Sequence, residues 1–256
     1  VRFALELFAA AFFASVFGSM VGLGGGFVLV PILRLFLGFS PAYAAGTSLV
    51  LIVANSASGA FTYLLQRRVH LKIGWLIAAG GLPGSILGAL LSLRISPRLF
   101  DTILAVLLLA VAIDMAWNAE RRIAGRAEHD GVAAIKGMSY RAALGLGFVV
   151  GIFSSLFGLG GGIILVPTFL YFSELPAHAI SATSHFAILL TSPVGLVVHV
   201  LQRDIVAQDI VPLVAGGLLG GPIGARLSLR LRSPQLLIVV AIALVTAAAT
   251  LIWRQL

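Results

Sequence analysis

Apolar stretches recur along nearly the whole chain, at 3–38, 43–65, 73–93, 99–117, 140–173, 178–201, 210–229 and 235–253. Each is close to or above the roughly 20 residues that carry a helix across a bilayer core. The chain therefore reads as an all-α polytopic membrane protein, with no stretch left over for a sizeable soluble domain. Composition agrees: 10% of the 256 residues are charged and 60% hydrophobic, whereas a soluble domain is roughly a quarter charged. Phe3–Phe17 follows Arg2 like a secretory signal, but it runs into a glycine motif without a convincing cleavage site and is read as the first membrane segment.

The formal net charge of +8 does not point to nucleic acid. The basic residues sit mainly in breaks between apolar runs, as in Arg67, Arg68, Lys72, Arg121, Arg122, Arg126, Lys136, Arg230 and Arg232. That is how topology signals are distributed. The chain has no cysteine, which removes disulfides and thiolate metal sites. No metal or cofactor is expected.

One motif occurs twice. "MVGLGGGFVLVPIL" occupies 20–33 and "LFGLGGGIILVPTF" occupies 156–169, an offset of 136. The same offset carries Thr47 and Ser48 onto Thr183 and Ser184, Ser56 onto Ser192, and Gln66 onto Gln202. It also carries Gly80 onto Gly216 and Gly88 onto Gly224. The chain thus divides into a first transmembrane repeat at 1–118, a polar linker at 119–139 and a second repeat at 140–256. Internal repeats in membrane proteins are typical of transporters, whose site lies between the halves near the midplane. Packing alone could explain the glycines at 80–88 and 216–224, because small residues let membrane helices approach closely.

Packing explains the contiguous glycines less well. The stretch 3–38 would be about 54 Å long as one helix, against a hydrocarbon core of about 30 Å. It is expected to break at Gly22–Gly26, and the second copy at Gly158–Gly162. Unwound backbone at depth is tolerated where protein or a water-filled cavity satisfies it. A short helix should begin after each break, near Phe27 and Ile163, carrying Pro31 and Pro167 as structural residues. Its first amides have no partner within the helix and attract anions. Gly22, Gly24, Gly25 and Gly26, with Gly158, Gly160, Gly161 and Gly162, are therefore expected to line an anion pocket between the halves. The polar residues Thr47, Ser48, Asn55 and Ser56, and Thr183, Ser184, His185, Thr191 and Ser192, are candidates for the same pocket. His199 is expected near an interface, and Arg226 is expected either to snorkel toward a headgroup, the favoured reading, or to attract an anion.

The doubled "GLGGGFVLVP" and "GLGGGIILVP", the "GTS" and "ATS" that follow, and "GGLPGSILGA" and "GGLLGGPIGA" resemble the TauE/SafE sulfite exporter family. The resemblance covers nearly everything except the linker. It implies a bacterial cytoplasmic (inner) membrane permease that moves sulfite or an organosulfonate such as sulfoacetate or sulfolactate outward. The resemblance itself is carried by the glycine runs and the two prolines. The hydroxyl and amide residues come from the physical reading alone.

Two topologies remain open. Eight spans would make the halves parallel, whereas a hairpin in each broken stretch gives up to ten membrane elements and an inverted repeat. Basic residues do not separate them, but the length of the broken stretches favours inversion. Either way the 119–139 linker is cytoplasmic. An inside-negative potential drives an anion out by about 2.3 kcal/mol per charge per 100 mV, and no carboxylate stands clearly at mid-span. A passive anion channel would use the same groups. An enzyme is not expected, since the chain has no HExxH and no GxSxG. A homo-oligomer is compatible with the sequence.

Overall fold

A computed structural model describes residues 2–117, 139–172, 177–205, 207–228 and 234–253. The expected linker, apart from Ser139, and Arg230 and Arg232 lie outside these residues. Among the described residues there are ten α-helices and no strand. The first five are α1 (Arg2–Val21), α2 (Gly26–Leu35), α3 (Pro41–Leu65), α4 (Leu71–Ser92) and α5 (Pro97–Trp117). The second five are α6 (Tyr140–Phe157), α7 (Gly162–Phe172), α8 (Ala177–Leu201), α9 (Ile210–Leu227) and α10 (Pro234–Trp253). Helices α1, α3, α4, α6, α8 and α9 are long and apolar enough to cross a membrane. Arg98, Asp101 and Asp114 make α5 more charged than these six.

Neither 3–38 nor 140–173 is one helix. Gly22 ends the α1 run with φ of 89°, and Gly158 caps α6 with φ of 65°, its N–H bonding back to Ser154. Glycine occupies this left-handed region without the steric penalty other residues meet. The chain then doubles back, so that a Cβ on Gly25 would stand 2.8 Å from the Ala14 carbonyl on α1. Helices α2 and α7 follow, of 10 and 11 residues, each about half a hydrocarbon thickness in length. Local capping sets other starts: Ser40 accepts from the Tyr43 amide ahead of Pro41, and Ser139 accepts from Ala142.

Packing partners follow one pattern. The long helices α3 and α8 pack on each other, and each is flanked by a helix of the other five: α9 against α3, α4 against α8. Outside these, α1 packs along α9, α6 along α4, and α5 against α10. Glycines every four residues make the close seams. Cβ atoms on Gly80, Gly84 and Gly88 of α4 would lie 2.0–2.2 Å from the carbonyls of Leu144, Phe148 and Ile152 on α6. On the other side, Gly220 and Gly224 of α9 meet the carbonyls of Phe12 and Val16 on α1. The glycines at 80–88 and 216–224 thus do what small residues do in lipid, bringing helix backbones into contact.

Candidate functional site

The two glycine breaks meet in the interior. Residues 22–26 and 158–162 are all buried, and Gly22, Gly24, Gly25, Gly158, Gly160 and Gly161 have φ between 65° and 89°. A Cβ on Gly26 would come within 2.2 Å of the Gly158 carbonyl, and one on Gly162 within 2.3 Å of the Gly22 carbonyl. A Cβ on Gly24 would lie 3.5 Å from Gly160 Cα. Nothing larger than glycine fits where the backbones cross.

Side chains from α3 and α8 satisfy the unwound carbonyls. Ser48 donates to Gly158 O at 2.8 Å, and Ser184 donates to Gly22 O at 3.0 Å. The two bonds are the same exchange, made in both directions at the 136-residue offset. Asn55 Nδ2 donates to Gly24 O at 3.1 Å and Ser181 to Val21 O at 3.1 Å. These bonds compensate backbone groups that in hydrocarbon would otherwise be costly to leave unpaired.

The amides are a different matter. The Gly22, Leu23 and Gly24 amides all turn back to Gly18 O, and Gly158 and Leu159 to Ser154 O. Among the described residues, the amides of Gly25, Gly26 and Phe27, and of Gly160, Gly161 and Ile163, take no acceptor. Each set opens a short helix, α2 or α7, where the dipole favours negative charge.

The remaining candidates divide. Thr47 is fully buried, and among the described residues its hydroxyl has no hydrogen-bond partner. Thr183, its counterpart, accepts from the His70 amide at 3.0 Å. Ser56, Thr191 and Ser192 bond back to Val53, Ala187 and Ile188 carbonyls of their own helices. His185 is fully buried on α8, with Nε2 3.0 Å from Ser19 Oγ and its ring edge-on to Tyr63. Ser19 in turn donates to Asn55 at 2.7 Å, so His185, Ser19, Asn55 and Gly24 form one chain of polar contacts. Pro31 is buried within α2, while Pro167 of α7 lines a cavity of about 550 Å³ shared with Leu107, Val111 and Asp114 of α5.

Several polar contacts were not singled out by the sequence reading. Ser19 and Ser181 belong to the shell of the breaks. The Tyr63 hydroxyl donates to Ser19 O, and His199 Nε2 lies 3.0 Å from Ser155 O, the matched pair in the other five helices. His199, expected at an interface, is fully buried; its ring is held by that carbonyl. Ser19 matching Ser155 at the offset was the available signal. Arg34 of α2 pairs with Asp101 of α5 through both its Nε, at 2.8 Å, and a terminal nitrogen, and it lies over the Phe100 ring. Neither residue has a charged counterpart at the offset, which hid the pair. Arg226 is exposed. Among the described residues, no three His, Asp or Glu side chains cluster as metal ligands.

The family model described as "Sulfite exporter TauE/SafE" matches residues 7–251. The "Probable membrane transporter protein YunE" of Bacillus subtilis (strain 168) is 30% identical over 257 residues, covering 94% of each chain. The "Probable membrane transporter protein y4hK" of Sinorhizobium fredii is 29% identical, covering 84% of this chain and 85% of its own. The "Probable membrane transporter protein YfcA" of Escherichia coli (strain K12) is 27% identical, covering 92% and 86%.

Proposed function

Because the chain belongs to the sulfite exporter TauE/SafE family of membrane transporters, we propose that it carries a small sulfur oxyanion, sulfite or an organosulfonate, outward across the bacterial cytoplasmic membrane. The observation that carries this reading is the pair of abutting breaks with free amides at Gly25, Gly26 and Phe27 and at Gly160, Gly161 and Ile163. Amides and hydroxyls recognise an oxyanion without a buried cation. Thr47, the matched Thr183 and His185 stand on the two helices that frame the breaks.

The site closes by contact of glycine backbones, which suits a carrier whose halves must separate to admit the anion. An inverted repeat does this by exchanging the conformations of its halves, and the paired packing of α1 with α9 and α6 with α4 supports two such units.

Counterflow in proteoliposomes tests the reading. Vesicles loaded with unlabelled sulfoacetate or sulfite should accumulate the labelled anion transiently and saturably. Flux that is linear in concentration, with no counterflow, would make the protein a passive channel of the same architecture. Single cysteines introduced at Arg67 and Gln208 should label from opposite sides of the membrane, and labelling from one side would refute inversion.

A further inference from the structure

We propose that His199 and Asp204 form a binding site for a single proton, and that this proton latches the second glycine break. The Ser155 carbonyl can only accept a hydrogen bond, so the His199 Nε2 that lies 3.0 Å from it carries the hydrogen. The other ring nitrogen is then either a bare lone pair or a second N–H. Asp204 Oδ2 stands 3.4 Å from that Nδ1, and the two side chains are 0% and 7% exposed. Two acceptors facing each other away from water are unfavourable. One proton, on either atom, turns the contact into an attraction.

Among the described residues, no other charged side chain settles the pair. Helix α3 presents Gly46, where a Cβ would lie 2.5 Å from the Asp204 carbonyl and 3.2 Å from His199. Helix α6 presents Ser155, and α4 presents the Ala89 carbonyl. In the orientation its neighbours require, the Gln202 amide donates to Asp204 Oδ2 at 3.1 Å and to Ala89 O at 3.2 Å. Arg203 is exposed, and Asp209, the connector's other buried acid, follows five residues after Asp204. Burial raises the Asp204 carboxyl above the usual range, and His199 only partly opposes this.

The first half performs the same task without a titrating group. Tyr63, at the position matching His199, donates to Ser19 O, and Arg68, matching Asp204, lies 5.0 Å over its ring. The latch matters because of what it holds. Ser155 precedes Gly158 by three residues, and the neighbouring Ser154 carbonyl anchors Leu159. Loss of the proton sets the Nδ1 lone pair against the carboxylate and frees the α8 end from α6 beside the break.

The test needs no knowledge of the transported anion. The full chain, labelled with ¹⁵N-histidine and ¹³C-aspartate, is titrated in micelles from about pH 5 to 9, the range in which a histidine pair exchanges protons. His199→Tyr, which copies Tyr63, and Asp204→Asn assign the signals, and either variant suffices. The expected result is an Nε2–H tautomer throughout, with one proton on the pair at neutral pH and lost as one event toward alkaline pH. That event should be absent from both variants. A bare Nδ1 opposite an ionised Asp204 at neutral pH, or a wild-type titration unchanged in Asp204→Asn, would overturn the proposal. A transport pH profile with methanesulfonate, whose charge is constant over this range, should flatten in Asp204→Asn if that anion is carried.

Discussion

Thr47 and Ser48 are adjacent, both fully buried, and opposite in what their hydroxyls do. Ser48 bonds to Gly158 O at 2.8 Å, whereas the Thr47 hydroxyl has no partner among the described residues. A buried polar group left unsatisfied costs roughly 1–3 kcal/mol, and valine keeps the shape of threonine while removing that group. Thr47→Val should therefore stabilise the ligand-free protein by about 1 kcal/mol. Ser48→Ala removes a bond and leaves the Gly158 carbonyl unpaired. Interhelical hydrogen bonds in membranes are worth about 0.6 kcal/mol on average and up to about 1.7, so it should destabilise by about 1 kcal/mol. Reversible unfolding in mixed micelles should thus separate the two variants by about 2 kcal/mol, with opposite signs. If Thr47→Val lost as much stability as Ser48→Ala, the Thr47 hydroxyl would have a partner within the protein, and the reasoning would fail. A hydroxyl kept at a stability cost is expected to serve the anion. Ligand at 100 times its Kd stabilises by about 2.7 kcal/mol, and that gain should shrink in Thr47→Val.

Gly26→Ala and Gly162→Ala place a Cβ 2.2 and 2.3 Å from the opposite break's carbonyls, and both should abolish transport. Gly38→Ala, which has open space but φ of 65°, should cost only about 1–2 kcal/mol and leave transport intact. Arg34→Met should destabilise by about 2 kcal/mol, between the values for exposed and buried pairs, because the pair is 11% and 14% exposed. Adding Asp101→Leu should recover part of this loss, which a double-mutant cycle of unfolding measures. Burial raises the Asp209 carboxyl above its usual range, and among the described residues its Oδ2 has no hydrogen-bond partner. The folded state therefore holds that proton more tightly than the unfolded chain, and stability should fall as pH rises from about 4 through the folded value. Asp209→Asn should remove this slope and raise the thermal midpoint at neutral pH.

The helical membrane architecture was legible because lipid permits few solutions for backbone polar groups, and the position of each break was legible because contiguous glycines cannot continue a helix. Helices α2 and α7 begin at Gly26 and Gly162, within a residue of where the motif put them. The seams at Gly80–Gly88 and Gly216–Gly224 were also legible, since four-residue spacing of glycine has one clear use in a bilayer. What stayed hidden were partners chosen by tertiary contact. Ser48 and Ser184 were legible as pocket hydroxyls, but their bonds to the Gly158 and Gly22 carbonyls were not, because these arise where the opposite break arrives within reach. His199 looked peripheral because it sits two residues before the end of α8, but the Ser155 carbonyl of α6 covers that end. The Arg34–Asp101 pair joins positions 67 residues apart, a relation that no local pattern records.

The central claim is that the paired glycine breaks bind a small sulfur oxyanion, and anion-induced stabilisation measures it most directly. Purified protein is melted with sulfite, sulfoacetate, sulfolactate and sulfate in turn, with Thr47→Val and Asp204→Asn beside the wild type. At least one of sulfite, sulfoacetate and sulfolactate should raise the wild-type melting temperature saturably and more than sulfate does, with a smaller shift in Thr47→Val. No saturable shift with any of the sulfur anions, or an equal shift in Thr47→Val and the wild type, would contradict an anion site at the breaks that includes Thr47.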